Sequence, residues 1–140
     1  MIKIWRIAAI ATIVASSPVL AQTKAEVEAA YSPSFNHCME SGDAAQGITS
    51  GIMDCTGAEN TLQNARLNQA YKTVMARLPA RQQAALRTSE RNWIKRRDER
   101  CREAADEAGG GSASGIIYSS CILDETIKRT IWLKDYPPKR

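Results

Sequence analysis

The sequence has little of what most catalytic and metal-binding sites need. Its 140 residues contain one histidine, His37, and four cysteines that form no Cys-x-x-Cys pair. A structural zinc site needs closely spaced cysteine and histidine ligands, and a nucleophilic site needs a base beside the nucleophile. The acids around Asp98 alternate with basic residues at ion-pair spacings, which is typical of a solvated helix face. We therefore expect no metal, no cofactor and no enzymatic activity.

The sequence also lacks an apolar run of the roughly 20 residues that a membrane-spanning helix needs. The apolar run Ile7 to Val14 follows two cationic residues, Lys3 and Arg6, and precedes a stretch of small residues at 15–17 and an expected cleavage site after Ala21. This order is typical of a cleaved signal peptide, which we place at residues 1–21. No cysteine lies at the expected cleavage site to accept a lipid, so we expect a periplasmic or secreted protein without a stable membrane anchor.

The basic excess of the chain is small once the signal peptide is removed. Loss of Lys3 and Arg6 leaves 17 of the 19 basic residues beside all 15 acidic ones, a net charge of about +2. The basic residues between Arg87 and Arg102 alternate with acids, and no series of aromatic residues accompanies them for stacking on bases. We therefore expect no nucleic acid partner.

No alternating strand pattern of useful length is present, and apolar residues recur at steps of three, four or seven. This periodicity predicts an all-α fold, a small disulfide-stapled bundle of about three main helices. The helical domain spans residues 49–134, between a partly irregular N-terminal arm at 22–48 and a C-terminal tail at 135–140. The predicted helices run from Thr49 or Ser50 to about Leu78, from about Ala80 to Ala105, and from Ser114 or Gly115 to Lys134.

Proline and glycine set the predicted ends of these helices. Pro79 ends the first helix, and Gly51 and Gly57 weaken its first turns, so its regular part is expected to begin near Cys55. Residues 108–114 include Gly109, Gly110 and Gly111 and predict a flexible loop, whose residues 109–112, ending at Ser112, are a candidate partner contact. The predicted buried positions are Ile52, Cys55, Leu62, Tyr71, Val74, Met75, Leu78, Leu86, Trp93, Ile94, Cys101, Ala104, Ile117, Cys121, Leu123, Ile127 and Ile131.

All four cysteines follow the expected signal peptide, and an even number in a small exported chain predicts a disulfide framework. A bridge from Cys101 to Cys121 would close the glycine loop, and a bridge from Cys38 to Cys55 would tie the arm to the first long helix. We favour these two pairs, and the crossed pairings stay open. A closed loop of about 20 residues contributes roughly 3 kcal/mol in the chain-entropy description.

Glu59 is the acidic residue that most needs a structural explanation. It lies one helical turn after Cys55, on or beside the predicted buried face, where a carboxylate needs a partner. Arg97, between Trp93 and Cys101, lies on the corresponding side of its own helix and is the expected partner. We interpret the pair as a structural ion pair in preference to a functional site.

Five segments form a recognisable set, namely Thr49 to Glu59, Leu67 and Asn68 with Tyr71, Trp93 with Arg97, Asp98 and Cys101, Tyr118 to Cys121, and Thr126 with Arg129. Over roughly residues 38–133 they resemble the motifs of the LprI-type lysozyme-inhibitor family. The resemblance implies an exported helical domain and names lysozyme as one partner, because the family is named for a mycobacterial lipoprotein that inhibits lysozyme. Its motifs indicate mainly scaffold, with Tyr71, Trp93 and Tyr118 as core aromatics and Arg97 and Asp98 ordering helix ends near a bridge.

Two hypotheses of function follow from these observations. In the first, the chain is a non-enzymatic binding protein that inhibits lysozyme by covering its surface. In the second, it is a structural or envelope-stress accessory domain that binds cell-wall material or another envelope protein. An acidic or loop-borne surface would favour the first hypothesis, and an exposed apolar groove between helices would favour the second.

Overall fold

The computed structural model describes residues 23–137, so the predicted signal peptide at 1–21 lies outside the described residues. Residues 23–137 form six helices and no strand, which confirms the all-α class. None of the helices in this range is long and apolar enough to cross a membrane. The helices are α1 (Lys24–Ala29), α2 (Pro33–Met39), α3 (Gly42–Ala45), α4 (Thr49–Arg77), α5 (Ala80–Glu107) and α6 (Gly111–Lys134).

The three long helices form the body of the molecule, and α6 packs against both α4 and α5. Leu78 separates α4 from α5 in an extended conformation with φ −91° and ψ 142°. A proline disfavours the helical conformation of the residue before it, so Pro79 ends α4 at the predicted position. Asn60 on α4 bonds Ser119 on α6, and Arg77 bonds Tyr136 just beyond α6, so α4 and α6 run parallel.

Helix α4 begins at Thr49, and the prediction that its regular part begins near Cys55 is wrong. The missing side chain of Gly51 allows α3 to lie directly against the first turn of α4. A Cβ atom on Gly51 would lie 2.5 Å from the backbone nitrogen of Ala44 and 2.7 Å from Asp43 Cβ. The packing of α3 therefore offsets the low helix propensity of this glycine.

The arm before α4 contributes three short helices, and two of them have side-chain caps. Thr23 and Glu26 form a capping box at the start of α1, and Ser32 caps α2 with Pro33 in its first turn. These local signals explain why short segments without strong apolar periodicity are helical. The arm also packs against the bundle, because buried Val27 of α1 lies in one apolar cluster with α6.

Two apolar clusters fill the interior of the described residues. The first cluster joins the three long helices and consists of Leu67, Val74, Leu78, Leu86, Trp93 and Leu133. The second joins α1 to α6 and consists of Val27, Leu123 and Ile127, with Tyr31 and Phe35 packed against it. The core therefore includes the N-terminal arm as well as the three-helix bundle.

Four predicted core positions are exposed instead, namely Leu62, Ile94, Ile117 and Tyr118. Leu62 and Ile94 each adjoin a buried residue, Gln63 and Trp93 respectively, and one residue along a helix turns the side chain by about 100°. In α6 the first buried residue is Leu123, so the earlier positions Ile117 and Tyr118 remain outside the core. Ala105 is buried at the end of α5, where Ala104 is predicted.

Candidate functional site

Each of the two disulfides joins two helices of the fold. Cys38 pairs with Cys55, tying α2 to α4, with their Cα atoms 5.7 Å apart. Cys101 pairs with Cys121, tying the end of α5 to α6, with their Cα atoms 5.5 Å apart. These are the two pairs favoured on sequence grounds, and no cysteine among the described residues is free.

The glycine segment is a short turn, and the prediction of a flexible loop over residues 108–114 is wrong. Helix α5 ends at Glu107 and α6 begins at Gly111. Gly109, Gly110 and Gly111 adopt φ values of 78°, 93° and 72°, a region that favours glycine. Ser114 Oγ accepts a bond from Gly110 N at 3.0 Å and donates one to Ala105 O at 2.7 Å, which closes the turn.

Three exposed acids, Glu103, Asp106 and Glu107, precede this turn at the end of α5. No basic residue lies in the last turn of α5, and none of the three acids forms an ion pair with another residue in the range 23–137. The backbone carbonyl groups at a helix C-terminus add partial negative charge. We call these acids and residues 108–110 the acidic tip, a surface that the Cys101–Cys121 bridge supports.

Motif residues of α5 and α6 meet around Trp93, which is 8% exposed. The guanidinium groups of Arg97 and Arg129 lie 5.0 and 5.6 Å from the centre of its ring. Arg97 also forms an ion pair with Asp98 at 2.8 Å. Cations over an aromatic face are attracted by its quadrupole, so this cluster joins the two helices.

Arg129 has the most complete set of partners in this cluster. Its Nε donates to Glu90 Oε1 at 2.7 Å and its Nη2 donates to Ser89 Oγ at 2.7 Å. Its guanidinium carbon lies 3.7 Å from the centre of the Trp132 ring. Because its Nε and Nη2 donors and its ring contacts are all made within the described residues, the buried Arg129 has a structural role.

Glu59 is buried, 3% exposed, but its predicted ion pair with Arg97 is wrong. Its carboxylate accepts bonds from Ser32 N at 2.9 Å and Gln63 Nε2 at 2.7 Å, and a further bond from Ser32 Oγ. Gln63 also donates to the carbonyl oxygen of Ala30 at 2.9 Å. The carboxylate therefore holds the α1–α2 junction against α4. The sequence interpretation had Glu59 joining α4 to α5 instead.

Burial alone would raise the pKa of the Glu59 carboxyl group. The bonds from Ser32 and Gln63, together with the positive charge of Arg66, outweigh burial and lower the pKa below its ordinary value. Glu59 is therefore ionised at neutral pH and is stabilised by donors that point at it. Such an arrangement holds a buried carboxylate in place and indicates a structural role for Glu59.

The remaining motif residues divide between core and surface. Leu67 is buried in the first apolar cluster, and Tyr71 packs against that cluster. Tyr118 is 39% exposed, so its prediction as a core aromatic is wrong, and Asn68 is also exposed. Among the described residues, no group of three or more histidine, cysteine or acidic residues is placed to hold a metal ion.

An open groove of about 720 Å³ runs between α4 and α6, and sequence periodicity did not indicate it. Its apolar lining includes Ala70, Val74, Ile127, Ile131 and Leu133, and its basic lining residues are Arg66, Arg77 and Lys134. No acidic residue lines it. We call this surface the α4–α6 groove.

Tyr31 lines one end of the groove, where the arm meets the bundle. Its hydroxyl group donates to Asp124 Oδ1 on α6 at 2.6 Å. Burial raises the pKa of Tyr31, and the bond to Asp124 raises it further, so the hydroxyl keeps its proton. This contact holds the α1 end of the groove against α6.

The family described as Lysozyme inhibitor LprI matches residues 38–133 of the chain, which include both disulfides and the Trp93 cluster. The chain belongs to the LprI family. An uncharacterized protein of Rhizobium meliloti (strain 1021) is 32% identical over 94 residues, covering 58% of this chain and 68% of that protein. No solved structure matches the chain significantly.

The LprI match covers only part of the described structure. It includes the acidic tip and the α4 and α6 walls of the groove, but it begins after α1 and most of α2. Ser32 and Tyr31, which attach the arm to Glu59 and Asp124, lie before the matched residues. The LprI domain of this chain is therefore completed by an arm from outside the matched region.

Proposed function

We propose that this LprI-family protein is an exported, non-enzymatic binding protein that inhibits lysozyme by inserting or apposing its acidic tip at the lysozyme cleft. The family match over residues 38–133 is the observation that carries the proposal. Inhibition by occlusion needs shape and charge complementarity and no reactive group. It is therefore compatible with a chain whose ionised Glu59 is fully engaged in structural hydrogen bonds.

The charge and rigidity of the acidic tip support this role. Lysozymes of the basic classes present positive surface, and complementary charge accelerates association and favours the correct orientation. The turn at residues 108–110 is held by Ser114 and by the Cys101–Cys121 bridge. A contact surface that is ordered before binding loses less conformational entropy than a flexible loop.

The proposed location is the periplasm or the exterior of the cell. Two disulfides suit an oxidising compartment. The family to which the chain belongs is named for inhibition of lysozyme, an enzyme that acts outside the cytoplasm. We propose that residues 1–21 are removed on export, that residues 22–48 form the arm and that residues 49–134 form the helical domain.

A second candidate function is binding to another envelope protein, and the α4–α6 groove favours it. An open groove with an apolar floor is a common form of site for a partner segment. Lysozyme inhibition would use the acidic tip, whereas envelope-protein binding would use a surface with the opposite charge.

An inhibition titration tests the first proposal. The oxidised protein, residues 22–140, is titrated against several lysozyme classes in a turbidity assay of cell-wall lysis, with reduced and alkylated protein as the control. Stoichiometric inhibition that is lost on reduction supports the proposal. Full lysozyme activity in the presence of folded protein at high micromolar concentration would refute it.

A further inference from the structure

We propose that the α4–α6 groove binds an amphipathic helix of a partner protein that carries acidic residues near both ends of its apolar face. The inference rests on the second candidate function, binding to another envelope protein, and because the groove is separate from the acidic tip it does not depend on lysozyme inhibition. The proposal rests on three features of the groove, namely its floor, its charges and the spacing of those charges.

The floor of the groove is apolar and belongs to the molecular core. Val74, Ile127 and Leu133 are each no more than 2% exposed, and they come from both of the apolar clusters. Ala70 and Ile131 are only partly buried, so apolar surface stays accessible along the groove. Covering such surface with apolar side chains of a partner is favourable by roughly 25 cal/mol for each Å² removed from water.

The edges of the groove are basic, and the charge of Arg66 also acts on the buried carboxylate of Glu59 behind the groove. Arg66 donates to the carbonyl oxygen of Ala30 at 3.0 Å and Arg77 donates to that of Tyr136, so both side chains are positioned by the backbone. Lys134 lies at the same end as Arg77. None of the three forms an ion pair with another residue in the range 23–137. Glu59 and Asp124, the nearby acids, are not lining residues and already hold Ser32 and Tyr31.

The positions of these cations indicate a helix more than a single anionic lipid. Arg66 and Arg77 are eleven residues apart on α4, which is about three helical turns and about 16 Å along one side. A fatty acid has one anionic end and would leave the cations at the other end without a counter-charge. A helix with acidic residues at positions i and i+11 and apolar residues at i+4 and i+7 meets both ends and the floor at once.

A designed peptide tests this inference on the oxidised full-length mature protein. The probe is a fluorescently labelled 16-residue amphipathic helix with glutamate at i and i+11 and leucine at i+4 and i+7, and binding is followed by fluorescence anisotropy. We expect saturable binding, and we expect a matched peptide with lysine in place of both glutamates to bind at least about tenfold more weakly.

Variants of the groove complete the test. Lys134→Glu removes no hydrogen bond found in the described residues, and the double variant Arg66→Glu/Lys134→Glu reverses the charge at both ends. We expect weaker binding of the glutamate peptide by about tenfold or more for the double variant, and a gain in binding of the lysine peptide. Arg87→Glu, on the exposed surface of α5, is the matched control and should leave both affinities unchanged.

Three results would overturn the inference. They are absence of saturable binding of the glutamate peptide, equal weakening by Arg87→Glu, and displacement of the bound peptide by a fatty acid that itself binds more tightly. Far-UV circular dichroism confirms that each variant is folded. Lysozyme inhibition measured on Arg66→Glu/Lys134→Glu should equal that of the original protein, so failure of the groove proposal is distinguishable from failure of the tip proposal.

Discussion

The hydroxyl group of Ser32 joins the start of α2 to the buried carboxylate of Glu59. Ser32 Oγ accepts a bond from Phe35 N at 3.1 Å, which caps α2, and it donates to Glu59 Oε2. The backbone nitrogen of Ser32 donates to the other carboxylate oxygen at 2.9 Å. Glu59 therefore holds the arm on the bundle, beside the bridge between Cys38 and Cys55.

Replacement of this carboxylate is expected to destabilise the fold. Glu59→Gln keeps the shape of the side chain but replaces one acceptor oxygen by an NH2 donor, which leaves a buried donor of Ser32 or Gln63 unsatisfied. We expect a loss of about 1–3 kcal/mol in the free energy of unfolding, measured by urea denaturation. Glu28→Gln is the control, because Glu28 forms only an exposed ion pair with Lys24 and should change stability by less than about 1 kcal/mol.

Stability should also depend on pH through Glu59. The pKa of Glu59 is lower in the folded protein than its ordinary value of about 4.3 in the unfolded chain. The unfolded state therefore binds the proton more readily, so the stabilisation is complete above the unfolded pKa and is lost as pH falls through the folded pKa. Urea midpoints measured from pH 7 downward should fall less steeply for Glu59→Gln than for the original protein. Parallel curves would contradict this assignment.

Two glycines of α4 should respond to alanine in opposite directions. Gly51→Ala places a Cβ atom 2.5 Å from the backbone of Ala44, so α3 must shift, and we expect a loss of about 1–3 kcal/mol. Gly57 has no such neighbour within 4 Å, and Gly57→Ala should stabilise the same helix by about 0.5–1 kcal/mol. Thermal or urea unfolding of both variants gives the comparison, and equal effects would show that α3 does not pack closely here.

The two disulfides should contribute similarly to stability and differently to inhibition. Their cysteines are 17 and 20 residues apart, so removal of either bridge should cost roughly 3 kcal/mol. Cys101→Ala/Cys121→Ala frees the segment that carries the acidic tip and should weaken lysozyme inhibition. Cys38→Ala/Cys55→Ala loosens the arm and should leave inhibition intact under conditions where both variants are folded. Inhibition that falls equally in both would argue against the tip.

Local signals in the sequence predict much of the bundle. Pro79 restricts Leu78 directly, so the α4–α5 boundary follows from one residue. Neighbouring residues likewise determine the helix ends near Arg77 and Lys134. The bridge between Cys101 and Cys121 joins two consecutive helices, so its pairing can also be predicted from the sequence. The attachment of the arm could not be predicted in this way. It depends on a contact between Ser32 and Glu59, which are 27 residues apart and are not related by any periodic pattern in the sequence.

The candidate sites are harder to predict for a similar reason. The closed glycine turn depends on the Ser114 hydroxyl group bonding both Gly110 and Ala105, and a run of glycines alone indicates only freedom of the backbone. The α4–α6 groove depends on how far apart two parallel helices lie at Ala70 and Ile131. The cations Arg66 and Arg77 are three turns apart in the sequence, but only the position of α6 shows that they border apolar surface.

The inhibition constant for a basic lysozyme tests the central claim most directly when it is compared between two charge-matched variants. Glu103→Gln/Asp106→Asn/Glu107→Gln removes the acids of the tip, and Glu28→Gln/Glu40→Gln/Asp54→Asn removes three exposed acids elsewhere. We predict that the tip variant inhibits about tenfold more weakly, at roughly 0.5 kcal/mol for each rim charge, while the control matches the original protein. Equal inhibition by both variants, or no inhibition by the original protein, would contradict the claim.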